Sequence, residues 1–138
     1  MVPGFVLSVE DYWLWLDQII EASDGYTEAG PLLIEPVFDE DELVGLVVPF
    51  QELRFWDETR MWIALSVTEE LELLKYVFHL QTAEGDLIWR IDNVGDHLGG
   101  GPHVHRRKGA SEVIDPWSEV DLQEALDYRS GLPDVPPV

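Results

Sequence analysis

Apolar positions near the start of the chain recur at helical spacing, which predicts an amphipathic helix. Ser8 and Asp11 have the spacing of an N-terminal capping box, so the helix is expected to begin after Ser8 and to end near residues 23–25. Such a stripe is typical of a helix that packs on a sheet. Its apolar positions are Val9, Tyr12, Trp13, Leu16, Ile19 and Ile20.

Beyond residue 31 the pattern changes to a period of two, which is typical of strands with one buried face. Short polar links separate these runs, and the turn-like residues 82–86 are an example. The predicted strands lie at residues 32–38, 43–48, 60–68, 73–80 and 87–92. A helical pattern returns at residues 116–128, where Ser118 is the expected N-cap.

The fold class predicted from this order is α+β. We expect an antiparallel meander sheet of about five strands, with an N-terminal helix and a short C-terminal helix. Residues 1–138 are expected to form a single domain with a folded core at about residues 8–128, because this is an ordinary domain length. The tail at residues 131–138 is rich in Gly and Pro and is expected to be frayed.

Composition narrows the class of protein. Acidic residues outnumber Lys and Arg 28 to 8 and the net charge is −20, yet 46% of the residues are hydrophobic, which favours a folded chain. The acids are dispersed and Lys is rare, a pattern that predicts a halophilic cytoplasmic protein, with an ordinary acidic protein or a nucleic-acid mimic as alternatives.

The sequence argues against cysteine-based sites and against a membrane span. No cysteine is present, which rules out disulfides, thiolate metal sites and a Cys nucleophile. The longest apolar stretches are shorter than the ~20 residues of a membrane span, and no basic segment precedes an apolar run at the start of the chain. No association with a membrane is therefore expected.

Candidate chemistry is concentrated between residues 90 and 108. Residues 94–111 follow neither period and are expected to form a long functional loop, with three glycines at 99–101 and three of the four histidines. Arg90 and Asp92 project from the same side of the strand before it. Histidine and arginine suit acid–base work on a phosphodiester, whereas the alternative is a solvated loop that pairs with surface carboxylates. The candidate catalytic residues are His103, His105, His97, Arg106, Arg107, Arg90 and Asp92.

A metal site is a rival interpretation of the same segment. If residues 103–105 are extended, both of their imidazoles lie on one side and could contribute to a zinc or manganese shell. The candidate ligands are His97, His103, His105 and either Asp92 or Asp96. The spacing matches no metal-binding or phosphate-loop motif, so no cofactor is predicted. His79 stands alone in a predicted strand and is interpreted as a packed or surface residue.

The order of motifs after residue 75 carries a family resemblance. An aromatic strand at residues 76–80 is followed by the turn at 83–86, the strand end Arg90-Ile91-Asp92-Asn93 and the basic segment His103-Val104-His105-Arg106-Arg107. This order resembles the TumE family of prokaryotic toxin–antitoxin proteins. Family members carry one more histidine after the Asp-Asn pair, where this chain has Val94-Gly95-Asp96-His97. The resemblance implies a toxin component that is encoded beside a DNA-binding antitoxin.

Three functions follow as hypotheses. The first is a toxin that cleaves RNA, in which His103 or His105 takes the 2′-hydroxyl proton, and the other histidine or His97 protonates the leaving oxygen. Its expected partners are an antitoxin and RNA, which Trp89 or Trp117 would stack against. The second is a non-catalytic interaction protein, either homo-oligomeric or bound to a partner, and the third is a metal-dependent hydrolase. The aromatics that motivate the interaction hypothesis are Trp56, Trp62 and Trp89.

Overall fold

The computed structural model describes residues 2–95 and 99–131, which form two helices and a single sheet. The elements in chain order are α1 (Val9–Ala22), β1 (Glu35–Asp39), β2 (Glu42–Arg54), β3 (Arg60–Val67), β4 (Leu73–Gln81), β5 (Leu87–Asp92), β6 (His103–Lys108), β7 (Ser111–Pro116) and α2 (Leu122–Arg129). Each strand pairs antiparallel with the next, so the sheet order is β1 to β7. The predicted α+β class and antiparallel sheet are confirmed, but the sheet has seven strands rather than about five.

The two additional strands are β6, which lies within the predicted loop at residues 94–111, and β7, which lies mostly between that loop and the predicted second helix. β6 pairs with β5 on one side and with β7 on the other, so its backbone hydrogen-bonding groups are used on both edges. The loop prediction for residues 94–111 was therefore wrong at residues 103–108 and at Ser111, which lie in strands. Polar side chains on β6 hid the strand, because a run of His, Arg and Lys lacks the apolar alternation on which the prediction depended.

The first helix begins and ends as predicted. Ser8 is its N-cap, and the Ser8 hydroxyl accepts a hydrogen bond from the Asp11 backbone N–H at 3.1 Å. The Asp11 carboxylate accepts from the N–H of Leu7 at 3.0 Å, one residue before the cap. The buried side of α1 contributes Tyr12 and Leu16 to the core, and α1 contacts β2.

The second helix begins later than predicted, at Leu122. Its N-cap is Asp121 and not Ser118, because the Asp121 carboxylate accepts from the Glu124 backbone N–H at 2.9 Å. The Glu124 side chain accepts in return from the N–H of Asp121 at 3.4 Å, which completes a capping box. α2 packs against β4 through a short apolar side.

The two faces of the sheet differ in character. The face toward the helices holds the apolar core, with Met61, Ile63, Tyr76 and Phe78 fully buried. We call the opposite side of β3 to β7 the outer face. Its side chains are Arg60, Trp62, Ala64, Ser66, Lys75, Val77, His79, Gln81, Ile88, Arg90, Asp92, His103, His105, Arg107, Glu112, Ile114 and Pro116.

Two further expectations concern the membrane and the C-terminal tail. Within residues 2–95 and 99–131, neither helix is long and apolar enough to cross a bilayer. The predicted frayed tail lies outside the described residues except for Gly131.

Candidate functional site

Four of the predicted catalytic residues meet on the outer face at the junction of β5 and β6. The strand register places Arg90 opposite His105 and Asp92 opposite His103. Directly opposed residues in an antiparallel pair have Cα atoms about 4.5–5.5 Å apart, so the four side chains are immediate neighbours. The predicted convergence of these groups is present because β6 is extended, which puts both of its histidines on one side.

Asp92 lies at the centre of this cluster and is buried. Its Oδ1 accepts a hydrogen bond from the Val94 backbone N–H at 3.0 Å and lies 3.0 Å from His103 Nε2. Its Oδ2 accepts from Arg90 Nε at 2.6 Å and lies 3.6 Å from His105 Nε2. A buried carboxylate requires such donors, and the contacts make Asp92 a residue that positions its neighbours.

His103 is fully buried, which changes the role predicted for it. Its Nδ1 lies 2.9 Å from the carbonyl oxygen of Gly101, so both ring nitrogens face acceptor oxygens. A neutral imidazole has only one N–H, whereas an imidazolium can donate to both oxygens. Gly101 has a φ of 81°, a conformation that favours glycine and brings its carbonyl to the ring. His103 therefore contacts Asp92 and Gly101 and not solvent.

His105 and Arg90 are the members of the cluster that reach solvent. The side chain of His105 is 10% exposed, and its Nδ1 lies 3.4 Å from Glu112 Oε2 on β7. The side chain of Arg90 is 36% exposed while its Nε is held by Asp92. A ligand on the outer face can thus contact the imidazole and the guanidinium together.

His79 belongs to the same site, although it stands alone in the sequence and was predicted to be a packed or surface residue. It lies directly opposite Arg90 on β4, on the outer face and partly buried. Burial and the nearby positive charge of Arg90 both lower the pKa of His79 below its ordinary value of 6.5. Its ring is therefore neutral at pH 7 and can accept a proton. The strand register places four side chains in one row across β3 to β6, in the order Trp62, His79, Arg90 and His105.

Comparison with known proteins assigns no family to the chain. No protein-family model matches it, and no match was found among curated proteins or solved structures. The resemblance to the TumE family therefore stays a prediction.

Two predicted residues on β6 lie apart from the cluster of Arg90, Asp92, His103 and His105. Arg106 lies on the helix-facing side of β6, where it forms an ion pair with Asp115 and is separated from Arg90 and the two histidines. Arg107 is on the outer face at the rim of the sheet, opposite Glu112. His97 lies outside the described residues.

The rival metal site can be tested against the same geometry. One donor atom each from Asp92, His103 and His105 lie within 4.8 Å of one another, and the Nδ1 atoms of both histidines face oxygen acceptors, as in many metal sites. Both oxygens of Asp92, however, already accept hydrogen bonds from Arg90 and Val94. The guanidinium would also repel a divalent cation at this distance. The contacts therefore favour a hydrogen-bonded cluster of Asp92, His103 and His105 over a metal-binding site.

The aromatic residues proposed to stack against RNA are placed differently from the prediction. Trp89 is buried in the core, and Trp117 packs against the core with its ring nitrogen buried. The buried Trp89 can neither stack against RNA nor serve an interaction surface, whereas Trp117 is partly exposed. Trp62 is on the outer face and stacks on Phe50, with ring centroids 5.0 Å apart and planes 8° apart.

Proposed function

We propose that the chain is a ribonuclease of the toxin type that cleaves RNA at the row His79–Arg90–His105. The observation that carries the proposal is this row, in which a guanidinium lies between two imidazoles on three adjacent strands. Adjacent strands are about 4.8 Å apart, so the two histidines approach a phosphate at Arg90 from opposite sides. The toxin role rests on the resemblance to the TumE family.

Each residue of the row has one role in the proposed reaction. His79 takes the proton from the ribose 2′-hydroxyl, and the 2′-oxygen attacks the adjacent phosphorus. Arg90 stabilises the negative charge that develops on the phosphorane oxygens. His105 gives a proton to the departing 5′-oxygen. The products are a 2′,3′-cyclic phosphate and a free 5′-hydroxyl, and no water is consumed.

The distribution of charge supports an anionic substrate at this place. The chain has a net charge of −20 and only 8 Lys and Arg residues. Four of these cations lie on the outer face, whereas Asp92 and Glu112 are the acids on the same face of β3 to β7, all of whose residues are described. The four cations are Arg60, Lys75, Arg90 and Arg107. The outer face is thus locally positive on a strongly negative protein.

The direct test is the chemistry of the products. Purified protein in molar KCl, treated with a chelator, is expected to cleave single-stranded RNA and to leave 2′,3′-cyclic phosphate ends, detected by mass spectrometry. A host that expresses the wild type should grow more slowly than one that expresses the double variant His79→Gln/His105→Gln. Absence of cleavage would refute the ribonuclease, and cleavage with equal growth would refute the toxin role. Cleavage that requires added zinc or manganese would favour the metal-dependent alternative.

The pH dependence of cleavage is expected to report the lowered pKa of His79. The base must be neutral and the acid protonated, so the rate passes through a maximum, and the midpoint of the rise on the acid side is expected below pH 6.5. Removing the charge of Arg90 raises that pKa, so Arg90→Gln should move this midpoint to higher pH. Arg90→Lys keeps the charge and should keep the midpoint close to that of the wild type. Arg106→Gln is the matched control, because Arg106 lies on the other face.

The pH experiment distinguishes the effect of the Arg90 charge on the pKa of His79 from a general loss of folded structure. An Arg90→Gln variant that loses rate at an unchanged midpoint would show that His79 does not act as the base. A shifted midpoint in the control variant would show that the shift comes from the loss of any arginine.

A further inference from the structure

A groove with a volume of about 290 Å³ lies on the outer face next to the candidate site. Two contacts join it to the site. Val77, which lines the groove, is directly opposite Asp92 across β4 and β5, and Val94, which also lines it, donates its N–H to Asp92. A molecule in the groove therefore lies beside the row His79–Arg90–His105.

The residues that line the groove provide an exposed aromatic ring and a space beside it, which together suit a flat ring as a ligand. Phe50 is 63% exposed and forms one wall, backed by its stacked neighbour Trp62. The small side chains of Ala64 and Val77 leave space beside that wall. Lys75 lines the same groove and adds a positive charge.

We propose that this groove binds the base of the nucleotide whose ribose supplies the 2′-hydroxyl, by stacking of that base on Phe50. The inference rests on the proposed function, because the groove is closer to His79 than to His105 in the strand order, and His79 is the group that takes the 2′-hydroxyl proton. Exposed aromatic rings on a sheet commonly stack the unpaired bases of single-stranded RNA.

Charge decides between RNA and an apolar protein segment as the occupant. A protein segment in the groove would cover Lys75 and approach Arg90 without supplying anions, which would leave these cations poorly solvated. A polynucleotide fills the groove with a base and places its phosphate at Arg90. A base in a duplex is paired and stacked within the helix, so the substrate is single-stranded.

The lining also predicts little preference between bases. Ser66 and Lys75 are the lining residues that bring polar side-chain groups to the outer face. Stacking on an aromatic ring accepts any base, whereas discrimination requires several directed hydrogen bonds. The nucleotide on the His79 side is therefore selected by its lack of pairing.

The test uses an oligomer of ten thymidines labelled with a fluorophore, which lacks the 2′-hydroxyl and cannot be cleaved by this route. Phe50→Ala is expected to weaken its binding, measured by fluorescence anisotropy, between about five- and 150-fold, which is the contribution of one stacked base. The fold loss should be similar at 0.2 and 1 M KCl, because stacking does not depend on counterion release. Phe50→Trp should restore binding, and the matched duplex should bind weakly.

Trp56→Ala is the control, because Trp56 is largely exposed but pairs with Tyr26 away from the groove. An unchanged affinity of Phe50→Ala, equal losses in both variants, or no binding by the wild type would overturn the proposal. So would dissociation of a dimer by Phe50→Ala, seen by light scattering, without loss of oligomer binding. Weakened binding by Phe50→Ala in a protein that cleaves no RNA would support the groove and refute only the ribonuclease.

Discussion

Replacing His105 with Ala is expected to lower the rate of RNA cleavage by about 10²–10⁴-fold, which is the usual contribution of a general acid or base. His105 is the protonating group in the proposed reaction and the histidine of β6 that reaches solvent. Its two nitrogens face Glu112 and Asp92 at 3.4 and 3.6 Å, which orients the ring. In the reaction the departing oxygen would replace one of these carboxylates as the partner of the donating nitrogen. The affinity for the thymidine oligomer should change little, because the base of the nucleotide binds in the groove.

A chemical rescue distinguishes this role from a structural one. The Ala substitution leaves a space at the outer face, and added imidazole should enter it and restore part of the lost rate. The variant should unfold in urea near the wild-type midpoint, since the ion pairs of His105 with Glu112 and Asp92 are long, at 3.4 and 3.6 Å. A variant that cleaves at the wild-type rate would eliminate His105 as the acid.

Much of the fold was predictable from the sequence, because most elements follow a simple period. The apolar alternation of residues 60–67 and 74–80 marks strands whose alternate side chains enter the core, and both were placed within two residues of their observed bounds. β6 and β7 carry polar groups on their outer side, and their strand character depends on pairing with β5. Pairing partners are distant in sequence, so no local pattern reports them.

The same limit explains which part of the candidate site was predicted. Arg90, Asp92, His103 and His105 could be placed together because alternate strand positions share a face. The role of His103 could not be predicted, since its burial depends on the carbonyl of Gly101 and on Asp92. Arg106 was included by proximity in sequence, although the alternation that unites the two histidines places it on the other face.

His79 shows what sequence reasoning missed and how it could have been found. Alternation alone puts it on the face opposite Phe78 and Leu80, which is the face of the polar cluster. Aligning the two arms of the hairpin about the turn at residues 82–86 then brings it close to Arg90. The signal lies in the hairpin register, which pairs His79 with a residue on the far side of the turn and not with a neighbour in sequence.

Replacing Asp92 with Ala is expected to cost about 3–5 kcal/mol of unfolding free energy, the usual effect of removing one partner of a buried ion pair. Asp92 is buried and contacts Arg90, His103 and the N–H of Val94. Its loss would leave the buried His103 ring without an anion and the amide without an acceptor. The measurement is urea unfolding at pH 7 in molar KCl, followed by circular dichroism.

Asp115→Ala is the matched control, because Asp115 pairs with Arg106 on the neighbouring strand but has a side chain that is 39% exposed. Exposed pairs contribute about 0–1 kcal/mol, so its expected cost is several-fold smaller. Equal costs for the two variants would contradict a structural role for the buried contacts of Asp92 with Arg90, His103 and the Val94 amide. The double variant Asp92→Asn/His103→Gln should recover part of the stability, because it replaces both buried partners with neutral groups that can still form hydrogen bonds. Such a recovery would show that much of the cost of Asp92→Ala comes from the buried groups that it leaves unpaired. The double variant should still cleave more slowly than the wild type, because Arg90 has lost the carboxylate that holds it.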